Sequence, residues 1–260
     1  MLDWGVLMSQ NLPIDPAASI YGLVRRAKEN RTLVNSMATM QMVTSEIENV
    51  MLLDGVRARV FAGFEYMSIF MPQVERYRQI AQNAECVYVF AVMDVEPPTM
   101  ANVRFIPVRD NTPLTQEWFL VADSADYFTA LCAEEQSAPD AAEQDRTFEG
   151  VWSFDEGIVT IIQEWLTHLV HAAPLDNLHK RRNHNKQVSL MSRMMTRLVE
   201  HMVQSPDKNT VKKPHEINQV IHQQLIPAMQ SAMNKLPILN PYDESVATPG
   251  KEEVSARQGG

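Results

Sequence analysis

The run Cys86-Val-Tyr-Val-Phe-Ala-Val-Met93 decides the fold. Eight uncharged residues rich in Val and aromatics do not alternate between a wet and a dry face, so the run predicts a strand covered on both sides. Such a sheet needs helices around it. Upstream, Met67–Ala84 returns to helical spacing through Ile69, Phe70, Val74, Tyr77, Ile80 and Ala81, with Pro72 suited to a first turn beginning near Met71. Val56–Phe64 reads as the preceding strand. Before it, Met40, Val43, Ile47, Val50 and Met51 recur at three and four, a helix closed by Asp54-Gly55. Thr32–Ser36 reads as a short strand, and Ser19 can cap a helix that turns Ile20, Leu23, Val24 and Ala27 inward.

Downstream, Pro97-Pro98 ends the section, and Asn102–Val108, Glu117–Ala122 and Tyr127–Ala133 are short β-branched and aromatic runs between turn clusters. They predict an antiparallel extension of the sheet. Glu134–Arg146 is polar, acidic and alanine-rich and reads as a mobile surface loop; Thr147–Phe154 resumes order, and Asp155 can cap a helix over Glu156–Val170. Beyond Pro174 two amphipathic helices are expected, Val188–Val203 and Glu216–Leu236, the second kinked by Pro227. The expected fold class is α/β, a mixed sheet flanked by helices and followed by two amphipathic C-terminal helices. The expected segments are a lead-in at 1–16, a domain at 17–174, a basic, Met-rich helical extension at 175–236 and a disordered tail at 237–260.

Charge divides at the same point. The chain of 260 residues has a net charge of −9, but residues 1–174 carry 11 basic and 24 acidic side chains whereas residues 175–213 carry 9 and 3. Apolar residues at 45% and charged residues at 21% exclude a mainly disordered, collagenous or membrane-embedded chain. No apolar run approaches a membrane span and no basic leader precedes Val6–Met8, so a cytoplasmic protein is expected. Cys86 and Cys132 each sit in an apolar segment without a Cys-x-x-Cys and read as small buried hydrophobes.

The common catalytic patterns are missing. There is no G-x-G-x-x-G, no G-x-x-x-x-G-K and no G-x-S-x-G elbow. His215-Glu216 and His222 fail the zinc-protease spacing, because the second histidine falls at i+7 instead of i+4. Asp94 ends a strand but lacks the acidic pair of a phosphate-accepting site. Neither an enzyme, a metal nor a cofactor is expected. The basic run Lys180-Arg181-Arg182 and the stripe Met191, Met194, Met195, Leu198 and Met202 are the candidate partner-binding residues: for a protein, for a second copy through the C-terminal helices or, as the alternative, for nucleic acid through residues 179–213. An acidic body argues against nucleic acid, and the basic segment can instead fold back onto that body.

Several segments together resemble the DICT sensory domain, a module of diguanylate cyclases and two-component proteins common in cyanobacterial signalling chains. They are Ser45-Glu46-Ile47-Glu48, Val60-Phe61-Ala62-Gly63-Phe64, Glu75-Arg76-Tyr77-Arg78-Gln79-Ile80-Ala81, Val87-Tyr88-Val89-Phe90, Pro113-Leu114 with Glu117-Trp118-Phe119-Leu120-Val121, and Arg146-Thr147-Phe148-Glu149-Gly150-Val151-Trp152-Ser153-Phe154-Asp155. Their order and spacing fit over about residues 17–172. The resemblance implies a non-enzymatic sensory input for light or second-messenger pathways, with no agreed ligand. It also departs from the usual setting, since two helices follow where a cyclase, kinase or GAF domain is usual. Within these segments Glu117 and Glu149 lie beside Trp118 and Trp152 in apolar strands and need partners, for which Arg76 or Arg78 beside Tyr77 are candidates. The cluster reads either as an internal ion pair or as a small ligand pocket.

Overall fold

The computed structural model describes residues 17–25, 32–138, 141–142, 145–175, 178–204 and 212–236. The lead-in at 1–16, the tail at 237–260 and residues 139–140 and 143–144 of the acidic loop lie outside the described residues.

A seven-stranded mixed sheet forms the centre, in the order β1-β7-β6-β5-β2-β3-β4. Its strands are β1 (Leu33–Ser36), β2 (Arg59–Tyr66), β3 (Cys86–Val92), β4 (Val103–Pro107), β5 (Glu117–Asp123), β6 (Phe128–Glu135) and β7 (Thr147–Ser153). Helices α1 (Ile20–Arg25) and α4 (Glu156–Leu169) cover one face. The other is covered by α2 (Met37–Leu53), α3 (Val74–Asn83) and the C-terminal helices α5 (His184–Gln204), α6 (Lys212–Val220) and α7 (Ile226–Asn234). The α/β class read from residues 86–93 holds, with β3 buried from Val87 to Ala91.

Local chemistry explains the boundaries. Ser36 caps α2 by accepting from Thr39 N, and Gly55, just past the C-cap Asp54, takes φ +65°, a conformation open to glycine without strain. Asp155 caps α4 by accepting from Ile158 N at 3.0 Å. Ahead of α3 the chain makes a single turn, Met67–Phe70, and a tight 3₁₀ turn, Met71–Gln73, that accommodates Pro72. A π-helical turn, Ile221–Leu225, stands where Pro227 was expected to kink the last helix; it absorbs the loss of the proline N–H.

One strand departs from the sequence reading. Val103–Pro107 pairs parallel to β3, whereas β5 and β6 pair antiparallel as expected and β7 continues that run. Parallel pairing requires the chain to return along the full length of β3. The ten residues between the strands can span roughly 33 Å, beyond the ~23 Å of a seven-residue strand. Asn102 ends the return with φ 61°, its side-chain amide donating to Ala81 O and Ala84 O and its carbonyl accepting from Val87 N at 3.0 Å.

Candidate functional site

The seven residues proposed as one cluster are distributed by the period of two along a strand. Trp118 and Trp152 face the α2 side: Trp118 Nε1 donates to Thr44 Oγ1 and Trp152 Nε1 to Thr129 Oγ1, both at 2.9 Å. Glu117 and Glu149 point to the other face, because alternate strand residues face opposite ways. Glu117 accepts from Ser19 Oγ and from Ile20 N at 2.8 Å, so it anchors the start of α1. Burial raises its carboxyl above the usual range, and these hydrogen bonds offset part of the rise. Glu149 is in register with Glu134, which is in register with Glu117, a row of three carboxylates across adjacent strands.

Arg76 and Arg78 reach neither glutamate. Arg76 pairs with Glu48 of α2 and also donates to Ser45 O and Asn49 Oδ1, joining α3 to α2; Arg78 pairs with Glu75 of its own helix. Tyr77 lies wholly buried between Phe70 and Phe64, its hydroxyl pushed up by burial and then by Glu48.

The C-terminal residues meet the body instead of solvent. Met191, Met194 and Leu198 are fully buried, and Met195 packs half-buried beside them against α2 and the sheet. Tyr127 Oη donates to Met194 Sδ at 3.7 Å. The side chain of Met202 lies outside the described residues. Arg182 pairs with Asp123, donates to Ser124 O at 2.6 Å and stacks 4.3 Å from the Phe128 ring centroid, while Lys180 and Arg181 stay exposed. On α5, Arg197 bridges Glu46 Oε2 at 2.6 Å and Asp54 Oδ2 at 3.2 Å, and Arg193 reaches Asp54 Oδ1 at 2.8 Å. The basic segment thus folds back onto the acidic body.

Three contacts were not expected. Gln187 on α5 pairs with the backbone of Phe128, accepting from its N and donating to its O; Gln224 accepts from Trp152 N; and Glu216 on α6 accepts from Ser36 N, Ser36 Oγ and Thr39 Oγ1. A legible signal existed in Glu46. It lies three residues after Val43 and four before Val50, on the core stripe of α2, where a wholly buried carboxylate demands a cation.

Where the C-terminal helices meet the body, a cleft of about 400 Å³ opens at the junction of β7 and α4. Its body side is Trp152, Phe154, Asp155 and Ile158; its C-terminal side is His184, Gln224, Ala228, Ser231 and Lys235. Glu156 at the start of α4 ties the two sides, lying 3.7 Å from Arg182 Nε, 3.7 Å from His184 Nε2 and 4.0 Å from Lys235 Nζ. The Nδ1 of His184 is buried without a hydrogen-bond partner. Asp123, close behind this network, is pushed up to about 6 by burial, against the pull of Arg182. Among the described residues no group of three His, Cys, Asp or Glu is placed to hold a metal ion, and no helix is long and apolar enough to cross a membrane.

Fold and cleft together define an α/β module with a ligand-sized opening at the seam between its sheet and its C-terminal helices. Residues 17–136 match the family described as DICT, a sensory domain in diguanylate cyclases and two-component systems. A search of curated proteins finds no match. Among solved structures, a crystal structure of polyphosphate kinase from Porphyromonas gingivalis is similar at 17% identity with a TM-score of 0.31, over 58% of this chain and 26% of that one. The chain spans about a quarter of that kinase's length, and the likeness is too loose to argue from.

Proposed function

We propose that this chain is a non-enzymatic sensory protein of a cytoplasmic signalling pathway, which binds a small molecule at the seam and relays its state by protein–protein contact through the C-terminal helices. The carrying observation is the place of the cleft. Its walls come from both sides of the seam, so a ligand there bears on the sheet and on α5 and α7 at once, as a shift between docked and altered arrangements requires. The match to a sensory domain of diguanylate cyclases and two-component systems supports the signalling role, and light or second-messenger input is the pathway class that the resemblance implies. DICT is a sensory domain, not a catalytic one. Nucleic acid is the weaker reading, because Arg182, Arg193 and Arg197 are already committed to carboxylates of the body.

Filling the cleft tests the reading. Ala228→Trp is compared with the unaltered chain by capture from the native cell, followed by mass spectrometry of bound proteins and small molecules. The expected result is a small molecule retained by the unaltered chain and lost from the variant, with a changed set of signalling partners. The same partners on both chains, with no small molecule on either, overturns it.

A further inference from the structure

The seam is short of hydrogen-bond acceptors where its two walls meet. Glu156 faces three donor groups, Arg182 Nε at 3.7 Å, His184 Nε2 at 3.7 Å and Lys235 Nζ at 4.0 Å, and all three stand beyond hydrogen-bond length. Arg182 Nε and His184 Nδ1 are also buried without a hydrogen-bond partner. Buried polar groups left unpaired cost free energy, and a ligand that brings an acceptor recovers part of that cost.

The other carboxylates nearby are already engaged. Asp123 pairs with Arg182, and Asp155, which lines the cleft, accepts from Ile158 N as the cap of α4. That leaves Glu156 to face both Lys235 and His184, one carboxylate for two donor side chains. Helices α4 and α5 begin at Glu156 and His184, so the positive ends of two helix dipoles add to the same corner. The rest of the lining includes apolar Phe154, Ile158, Pro227 and Ala228, and about 400 Å³ suits a drug-sized molecule. Resting on the reading of the seam as a binding site, we infer that its ligand is an apolar acid: a small monoanion whose acid group is held by Lys235 and His184 and whose body lies against Phe154, Pro227 and Ala228. A cationic ligand would meet Lys235 with like charge, and a purely apolar one would leave the same donors unpaired.

The probes are 1-anilinonaphthalene-8-sulfonate, an aromatic monoanion, and N-phenyl-1-naphthylamine, the same ring system without the sulfonate. Each is titrated into the full chain and followed by its fluorescence. Lys235 is partly exposed, so Lys235→Met removes the charge without opening a buried contact, and circular dichroism checks that the fold is kept. The variant is expected to weaken the anion about fivefold and the neutral probe much less. Ala228→Trp, which fills the cleft, is expected to abolish binding of both. If Ala228→Trp abolishes both but Lys235→Met shifts the two probes alike, or neither, the cleft binds ligands and the acid assignment is overturned. If neither probe binds, or both bind undiminished to Ala228→Trp, the seam reading falls and this inference with it.

Discussion

Arg182 and Asp123 form an ion pair in which the two side chains are 2% and 1% exposed. The arginine comes from the segment that leads into the C-terminal helices, and the aspartate ends a central strand. Their pairing joins the extension to the sheet in a place water does not reach. A buried pair gives little net stability over an apolar replacement, but removing one member is expensive because the other charge stays behind. Arg182→Met leaves Asp123 buried without its cation. A loss of about 3–5 kcal/mol is expected at pH 7.5 by urea unfolding. The loss shrinks as pH falls, because Asp123, pushed up to about 6 even beside Arg182, takes up a proton more readily once that cation is gone. A loss independent of pH contradicts this account.

The unaltered chain has a pH dependence of the same sign. Asp123, Glu117 and Glu48 are all raised by burial above their ordinary values, Asp123 to about 6 from 3.8. The native state therefore binds protons more tightly than the unfolded chain. Stability contributed by these groups is fully present below the unfolded values near pH 4 and is lost as pH rises through the folded values. Unfolding midpoints are expected to be higher at pH 5 than at pH 7, with little further change from these groups above that. Asp123→Asn, which mimics the protonated form, is expected to flatten the slope. Denaturant titrations at half-unit pH intervals on both chains measure it.

Much of the frame was legible because the relevant signals are local. The unbroken run at 86–93, the period of three and four in α2 and the caps at Ser19 and Asp155 each follow from a few neighbouring residues. The parallel direction of β4 was not legible, because it depends on the path of a connection and not on the strand's own composition. The methionine stripe was visible, but its destination was not. Periodicity says that a face is apolar, and the body's own face, with Glu46 and Asp54 waiting for Arg197, says where it goes. The proposed Arg–Glu cluster dissolved for the same reason. Neighbours in sequence on a strand look to opposite faces, so Glu117 went to α1 while Trp118 went to α2.

Gly150 lies in β7, where packing against β6 leaves no room for a side chain. A Cβ there would meet Ala133 Cβ at 2.4 Å and Cys132 O at 2.7 Å, the second a backbone atom that does not yield. Gly150→Ala is expected to destabilise by roughly 1–3 kcal/mol through forced separation of β6 and β7. Gly63→Ala meets the Phe119 ring at 2.2 Å, again a buried neighbour, and is expected to behave alike. Thermal melts of both variants, set against Gly55→Ala, where the added Cβ meets nothing but φ is +65°, separate crowding from backbone strain. Near-native melting of Gly150→Ala would show that the strands can part without cost.

Glu216 reaches from α6 to the start of α2, where its Oε2 accepts from Ser36 N at 3.1 Å, Ser36 Oγ at 2.7 Å and Thr39 Oγ1 at 2.6 Å. A carboxylate beside a helix N-terminus also meets the positive end of the helix dipole. One side chain of the extension therefore completes the cap of a helix in the body. Glu216→Ala is expected to cost about 1–2 kcal/mol, and Glu216→Gln, which keeps an acceptor but not the charge, less. The distinguishing readout is hydrogen exchange. If Glu216 couples the two parts, its loss raises exchange at the first turn of α2 and along α6 together, whereas a purely local cap raises it in α2 alone. That joint loosening is the molecular form a relayed signal takes in the proposed function, since it connects the position of the C-terminal helices to the order of the sensory body.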